Sequence, residues 1–266
     1  MIARLIGALV RATALVLIIA SPAFLLPNVS TASQEITLIV AGIAAAFTIF
    51  EYASTHPGLI DFRFAPPYNR VRYTIFGVQV LSLVFLCRAE VGVDGFAASY
   101  LALADQAVAL THLPFSPVAL VSGWVGGQGD TTYQVLITRA AALSFLVTFL
   151  ALAGFALFLW IIPWPIGRRD FNLWINLPTF EPGYGRKVER RLYRDGIVNI
   201  IFGVVLIYLL PLIAGPLSGW FNPNTLGDYQ GLVWGTTLWA FISGSLVIRG
   251  AAILKVSWLV RRTRRI

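Results

Sequence analysis

The sequence contains few of the residues that build catalytic, metal or redox sites. Among 266 residues there is one cysteine, Cys87, and there are two histidines, His56 and His112. A single cysteine excludes an internal disulfide. Both histidines lie outside the apolar stretches, so they do not fit a haem held between helices, and no cysteine, histidine and carboxylate cluster suggests zinc. We therefore predict no metal ion and no cofactor, and a bound lipid is compatible with this composition.

Recognisable enzyme motifs are also lacking. The chain has no P-loop, no G-x-S-x-G and no H-E-x-x-H, and no two carboxylates have a spacing that suggests acid–base catalysis. No acidic residue lies near the centre of an apolar stretch, which argues against a proton-coupled pump. We assign no catalytic residue, and the sequence favours a protein without catalytic activity over an enzyme.

Charged residues are scarce, at 12% of the chain, against about 25% in a typical soluble domain. Hydrophobic residues make up 58%, and the mean hydropathy is +0.77. Such an apolar excess requires lipid as its solvent. We attribute the net charge of +8 to basic residues that stay on one side of a membrane, where they meet anionic headgroups, and not to nucleic-acid binding.

Six apolar stretches are long enough to cross a bilayer, for which a helix needs about 20 residues. The sequence thus predicts an all-α polytopic membrane protein that forms a single membrane domain. The predicted spans are residues 5–27, 36–53, 72–92, 138–162, 196–215 and 232–257. The first stretch resembles a signal peptide in composition, but we interpret it as a span.

Lysine and arginine are missing from alternate connecting segments. Residues 27–36, 92–134 and 214–231 contain none, whereas 54–73 and 164–195 are rich in arginine. Because basic residues remain cytoplasmic during insertion, we expect a bacterial inner (cytoplasmic) membrane location with both termini in the cytoplasm. Candidate contacts for anionic lipid headgroups are Arg190, Arg191, Arg261, Arg262, Arg264 and Arg265.

Two of the basic segments share the pattern F-x-P-x-Y-x-R. Its members are Phe64, Pro66, Tyr68 and Arg70 in the first segment and Phe180, Pro182, Tyr184 and Arg186 in the second. Each motif precedes a helix that carries Phe-Gly-Val. We predict a duplication of residues 36–92 with 138–215, and chance similarity is the alternative. The motif fits a structural anchor, with its rings at the headgroups and its arginine beside a lipid phosphate, or a surface for docking a partner.

The segment 92–134 is long and apolar for a connection between spans. Residues 96–112 predict an outer interfacial helix with Asp105 and Gln106 on one side. Residues 118–125 are too short to cross a bilayer, so they either cap the helical bundle or re-enter the membrane.

Charged residues inside predicted spans are functional candidates, and we single out two of them, Glu51 and Arg249. Glu51 and Arg249 lie at similar depths near the inner ends of spans 2 and 6. We hypothesise that they form an ion pair. The polar residues Gln79 and Asn199 predict hydrogen bonds between helices.

Three classes of function remain open. The sequence favours a non-catalytic integral subunit, or an accessory or assembly factor, of a larger inner-membrane complex, with a membrane-protein partner or a second copy of the chain. The alternative is a transporter or channel for an apolar, lipidic or neutral substrate, as the possible duplication suggests. The third class is a membrane enzyme that acts on a lipid-linked substrate.

Overall fold

The chain is all-helical wherever it is described. The structure, a computed structural model, describes residues 2–55, 58–125, 131–165, 173–178, 186–217 and 229–263. Its helices are α1 (Ile2–Leu25), α2 (Thr31–Ala53), α3 (Tyr68–Val91), α4 (Gly95–Thr111), α5 (Pro117–Val125), α6 (Thr131–Ile161), α7 (Leu173–Asn176), α8 (Arg186–Leu217) and α9 (Tyr229–Thr263).

Six of these helices, α1, α2, α3, α6, α8 and α9, are long and apolar enough to cross a membrane. They correspond one by one to the six predicted spans, which are confirmed as helices. Several extend beyond the apolar stretch. For example, α8 begins at Arg186, because the charged run that precedes its apolar part contains good helix formers and no proline.

The two ends of the helical bundle differ. At the basic end, residues 58–67, which we call the strap, contact the end of α2, the end of α6 and Arg249 of α9. Lys255 of α9 donates from Nζ to the Leu159 carbonyl of α6 over 2.6 Å at this end. The opposite end of the bundle carries α4 and α5, and we call it the cap end. There α4 packs against α3 and α6, and α5 packs against α6 and α8.

The cap end is fixed by polar contacts around Arg139 of α6. Its guanidinium binds Asp105 of α4 at 2.7 Å and Glu90 of α3 at 3.3 Å. The Asp94 carboxylate accepts the Ala97 N–H at 2.8 Å and so caps the amino terminus of α4. The predicted helix over 96–112 is confirmed as α4, and it lies against the long helices.

Close packing of α8 on α9 depends on small residues. A Cβ atom added to Gly203 would lie 2.6 Å from the Ser243 carbonyl oxygen, and one added to Gly250 would lie 2.6 Å from the Gly196 oxygen. Only glycine permits backbones to approach this closely, so these positions set the distance between the two helices.

Polar side chains inside the bundle pair across helices, as predicted. Gln79 of α3 donates from Nε2 to Thr148 Oγ1 of α6 over 2.6 Å. Asn199 of α8 accepts from Arg249 Nη1 of α9 over 3.1 Å. These hydrogen bonds confirm the expectation for Gln79 and Asn199 and join two pairs of helices, α3 with α6 and α8 with α9.

Candidate functional site

The strap is fixed to the end of α2 by Glu51. Its carboxylate accepts the backbone N–H groups of Gly58, Leu59 and Ile60 at 3.1 to 3.3 Å. Glu51 is buried, with 4% of its surface exposed. Several N–H donors compensate for the burial of a carboxylate, which explains why an acidic residue occurs in an apolar helix.

Arg63 of the strap caps the carboxyl terminus of the same helix. Its Nη2 donates to the Tyr52 and Ser54 carbonyls, at 2.8 Å each, and its Nη1 donates to the Glu51 carbonyl. A cation at this position complements the negative end of the helix dipole. Burial lowers the pKa of the Arg63 guanidinium, and the positive charges of Arg4 and Arg11 lower it further, against the opposing effects of Tyr52 and Glu51.

The strap is also tied to α9 through Asp61. Arg249 donates from Nε to Asp61 Oδ2 over 2.6 Å, and the Asp61 side chain is almost fully buried. The hypothesised partner of Arg249 was Glu51, so the structure corrects that pairing. Within the described residues no ion pair joins Glu51 to Arg249, because strap amides occupy the Glu51 carboxylate while Asp61 extends towards α9.

The residues of the first F-x-P-x-Y-x-R motif lie partly in the core and partly at the surface. Tyr68 is fully buried, with its ring centroid 4.7 Å from that of Phe62 and 6.3 Å from that of Phe155. Its expected position at the headgroups or at a docking surface is therefore corrected. Phe64 and Arg70 are exposed.

The second motif lies mostly outside the described residues. Nothing is described for Phe180, Pro182 and Tyr184, and Arg186 is described only as the first backbone position of α8. The connection between α6 and α8 nevertheless contacts the strap through other residues. Asn176 accepts the Phe62 N–H at its carbonyl and the Phe64 N–H at Oδ1, over 2.6 and 3.1 Å.

A cavity of about 820 Å³ opens at the basic end, between α1, α2, the strap and the start of α3. Its lining combines apolar side chains with several arginines. The apolar part includes Val10, Ala14, Leu15, Phe76 and Phe241. The basic part consists of Arg11, Arg63, Arg70 and Arg72, and the described lining includes no acidic residue.

Three of the four cavity arginines, Arg11, Arg63 and Arg72, are held by hydrogen bonds to uncharged groups. Arg11 donates to the Gly7 carbonyl over 2.6 Å and lies 4.6 Å from the Tyr52 ring centroid. Arg72 donates from Nε to Ser245 Oγ over 2.7 Å. In the part of the chain that the structure describes, no ion pair includes any of the four arginines. The arrangement is suited to hold an anion with an attached apolar group.

The remaining basic candidates lie on the helices of the same end. Arg190 and Arg262 are exposed, and Arg191 is half-buried. Arg261 is 3.7 Å from the Glu189 carboxylate, and the Arg262 guanidinium is 5.5 Å from the Trp258 ring centroid. The last two candidates, Arg264 and Arg265, lie outside the described residues.

Sequence reasoning identified Arg70 and Glu51 but did not assemble the cavity. The sequence did not identify Arg11 and Arg72 as site residues, since they line one cavity only because α1 packs against α3. No group of three or more metal-ligating side chains occurs among the described residues. No protein-family model, curated protein or solved structure matches the chain.

Proposed function

We propose that this multi-pass membrane protein binds an anionic membrane lipid in the cavity at its basic end and moves or presents that lipid at the membrane surface. The observation that carries the proposal is that four arginines, none of them ion-paired among the described residues, line one cavity together with apolar side chains. This is the lipidic form of the transporter alternative, and it includes no catalytic step.

The spacing of the lining residues supports an amphiphilic ligand. On α3, Arg70 and Phe76 are six residues apart, which corresponds to about 9 Å along the helix. On α1, Arg11 and Leu15 are separated by about 6 Å on the same basis. A headgroup at the arginines therefore places its apolar chain against the aliphatic and aromatic side chains. A small soluble anion would not contact the apolar side chains, and a neutral lipid would not neutralise the arginines.

The charge asymmetry supports an orientation for this site. We propose that the basic end lies on the cytoplasmic side of a bacterial inner membrane, with both termini on that side, because basic residues concentrate at this end. There the arginines meet the leaflet that carries anionic lipid in contact with the cytoplasm. Attaching a reporter to each terminus and testing its accessibility in spheroplasts and inverted vesicles tests this orientation. An accessible amino-terminal reporter in intact spheroplasts contradicts it.

Lipid binding can be tested with purified protein in mild detergent. Co-purified lipids are identified by mass spectrometry, and affinity is measured by native mass spectrometry with phosphatidylglycerol and with phosphatidylcholine. We expect a preference for the anionic lipid and a loss of about tenfold in affinity for the variant Arg70→Gln, since one charge-assisted contact contributes on the order of 1.5 kcal/mol.

Arg194→Gln is the matched control, because Arg194 is exposed at the same end, lies outside the cavity and is not among the predicted lipid contacts. Equal affinity for the two lipids, or equal losses for the two variants, contradicts the proposal. Inorganic phosphate at the same concentration as the lipid is expected to displace no lipid. Displacement under that condition instead identifies a soluble anion as the ligand.

A second candidate function is that of a subunit of a membrane complex. The helices α2 and α8 bury only 17% of their most apolar 18-residue window, against 50% for α3 and α9. Two faces of the bundle are therefore available to a membrane-protein partner or a second copy of the chain. Stoichiometric partners after purification in mild detergent support this candidate, whereas a protein that purifies alone and as a monomer contradicts it.

A further inference from the structure

The cavity carries more positive charge than a phosphodiester headgroup neutralises. Four cations line it: Arg11, Arg63, Arg70 and Arg72. Of the two nearby carboxylates, Asp61 is already paired with Arg249. The other carboxylate, Glu51, is engaged by the backbone amides of the strap. Among the described residues, Glu51 is thus the one nearby carboxylate that is not ion-paired, and it lies close to four cations. A lipid with a single negative charge leaves most of the excess positive charge in place.

The available hydrogen-bond donors lead to the same conclusion. A guanidinium has five N–H groups. Arg63 uses both terminal nitrogens on the carbonyls of α2, so it acts as a fixed charge. Arg11 uses one terminal nitrogen and Arg72 uses Nε, so each keeps further donors. Arg70 has no polar partner among the described residues, and all its donors remain available.

Three arginines with available donors match a phosphate group that presents many oxygen atoms. A phosphodiester has two non-bridging oxygens, whereas a phosphate monoester has three and carries a charge of about −1.5 to −2 at neutral pH. Arginine binds such groups through paired N–H···O bonds. The lowered pKa of Arg63 agrees with this view, because burial and neighbouring cations penalise its charge and a multiply charged anion would relieve that penalty.

We infer that the ligand of the cavity is a lipid whose headgroup ends in a phosphate monoester or a diphosphate, and not a phosphodiester lipid. This inference rests on the proposed function, since it assigns the headgroup class of the lipid that the cavity binds. The apolar wall formed by residues such as Leu15, Phe76 and Phe241 receives the chain.

The experiment uses native mass spectrometry titrations of the full chain with lipids of identical acyl chains. It compares phosphatidylglycerol, phosphatidic acid and diacylglycerol pyrophosphate, with phosphatidylcholine as the reference lipid without net charge. We expect phosphatidic acid and diacylglycerol pyrophosphate to bind at least about tenfold more tightly than phosphatidylglycerol. Arg70→Gln reduces this preference and Arg194→Gln retains it. The melting temperature of each variant shows whether the fold is intact, and we expect Arg70→Gln to melt like the unmodified protein.

The outcomes separate the two proposals. Equal affinity for phosphatidylglycerol and phosphatidic acid overturns the headgroup assignment but leaves lipid binding standing. Equal affinity for all anionic lipids and phosphatidylcholine overturns both. Displacement of the lipids by inorganic pyrophosphate at equal concentration shows that the arginines select a soluble anion, which overturns the assignment of a lipid. A preference that Arg70→Gln leaves unchanged in a folded variant overturns the assignment of the cavity as the site.

Discussion

Asp61 Oδ2 and Arg249 Nε are 2.6 Å apart, although 188 positions separate them in the chain. Asp61 belongs to the strap between α2 and α3, and Arg249 belongs to the last long helix. Arg249 also donates to Asn199 of α8. One arginine thus joins three parts of the chain behind the arginine-lined cavity, and it determines where the strap lies.

Replacement of Asp61 by asparagine tests this connection. The Asp61 side chain is buried and Arg249 is 30% exposed, so Asp61→Asn leaves a partly buried cation without its counter-charge. We expect a loss of roughly 2 kcal/mol in the free energy of unfolding, less than for a fully buried pair. Thermal unfolding in detergent measures it. The control is Asp195→Asn, whose partner Arg194 is 71% exposed at 3.5 Å, and for which little change is expected. Equal effects of the two substitutions contradict the prediction.

Glu51 should control the order of the strap more than the stability of α2. Glu51→Gln keeps one acceptor oxygen but removes the charge that binds three backbone amides. We expect faster hydrogen exchange of the amides of Gly58, Leu59 and Ile60, with a loss of about 1 to 2 kcal/mol in local stability. Glu35→Gln serves as the control, because Glu35 is exposed on the same helix. Unchanged exchange in the strap would show that other contacts hold it.

The α8–α9 contact should not tolerate a methyl group at Gly203. The added Cβ of Gly203→Ala meets the Ser243 carbonyl oxygen at 2.6 Å and Val247 Cγ2 at 2.7 Å. Because a backbone atom cannot move aside cheaply, we expect a loss of about 1 to 3 kcal/mol. Gly154→Ala is the matched control, since its Cβ meets nothing within 4 Å. There we expect no loss, or a gain of up to about 1 kcal/mol from helix propensity. Comparison of melting temperatures distinguishes the two.

The position of α4 should depend on Arg139. Substitution Arg139→Met leaves Glu90, whose side chain is 17% exposed, without its cation and releases Asp105 of α4. We expect faster hydrogen exchange throughout α4 and a lower melting temperature, because one partner of a partly buried ion pair then remains alone. Asp105→Asn should have a smaller effect, since the Asp105 side chain is 58% exposed. If Asp105→Asn releases α4 as completely as Arg139→Met does, the role of Glu90 is contradicted.

The helical architecture was largely accessible from the sequence, because apolar residues over about 20 positions can only form a spanning helix when lipid is the solvent. The helices over the six predicted spans and the helix after Asp94 follow from this local pattern. The duplication of residues 36–92 with 138–215 stays a prediction. The Phe-Gly-Val triplets of α3 and α8 do share one property, since the glycine of each, Gly77 and Gly203, lies against a neighbouring helix.

The pairing of residues that are distant in the chain could not be predicted from the local sequence pattern. Because Glu51 and Arg249 lie at similar depths in the predicted spans, the sequence suggested Glu51 as the ion-pair partner of Arg249. Depth alone, however, does not specify which face of a helix a side chain occupies or where a connecting segment folds back. Asp61 was overlooked because it lies outside the spans, and Tyr68 was placed at the surface because its motif contains surface-type residues. The structure places Tyr68 in the core through contacts with Phe62 and Phe155.

The sequence by itself determined that the chain forms six long apolar helices and that its basic residues concentrate in alternate connections, because hydropathy and charge are properties of the local chain. Tertiary structure alone decided that Arg11 of α1, Arg63 of the strap and Arg70 and Arg72 of α3 line one cavity. Their convergence depends on how helices and strap pack together, and that packing is fixed by long-range contacts such as Asp61 with Arg249.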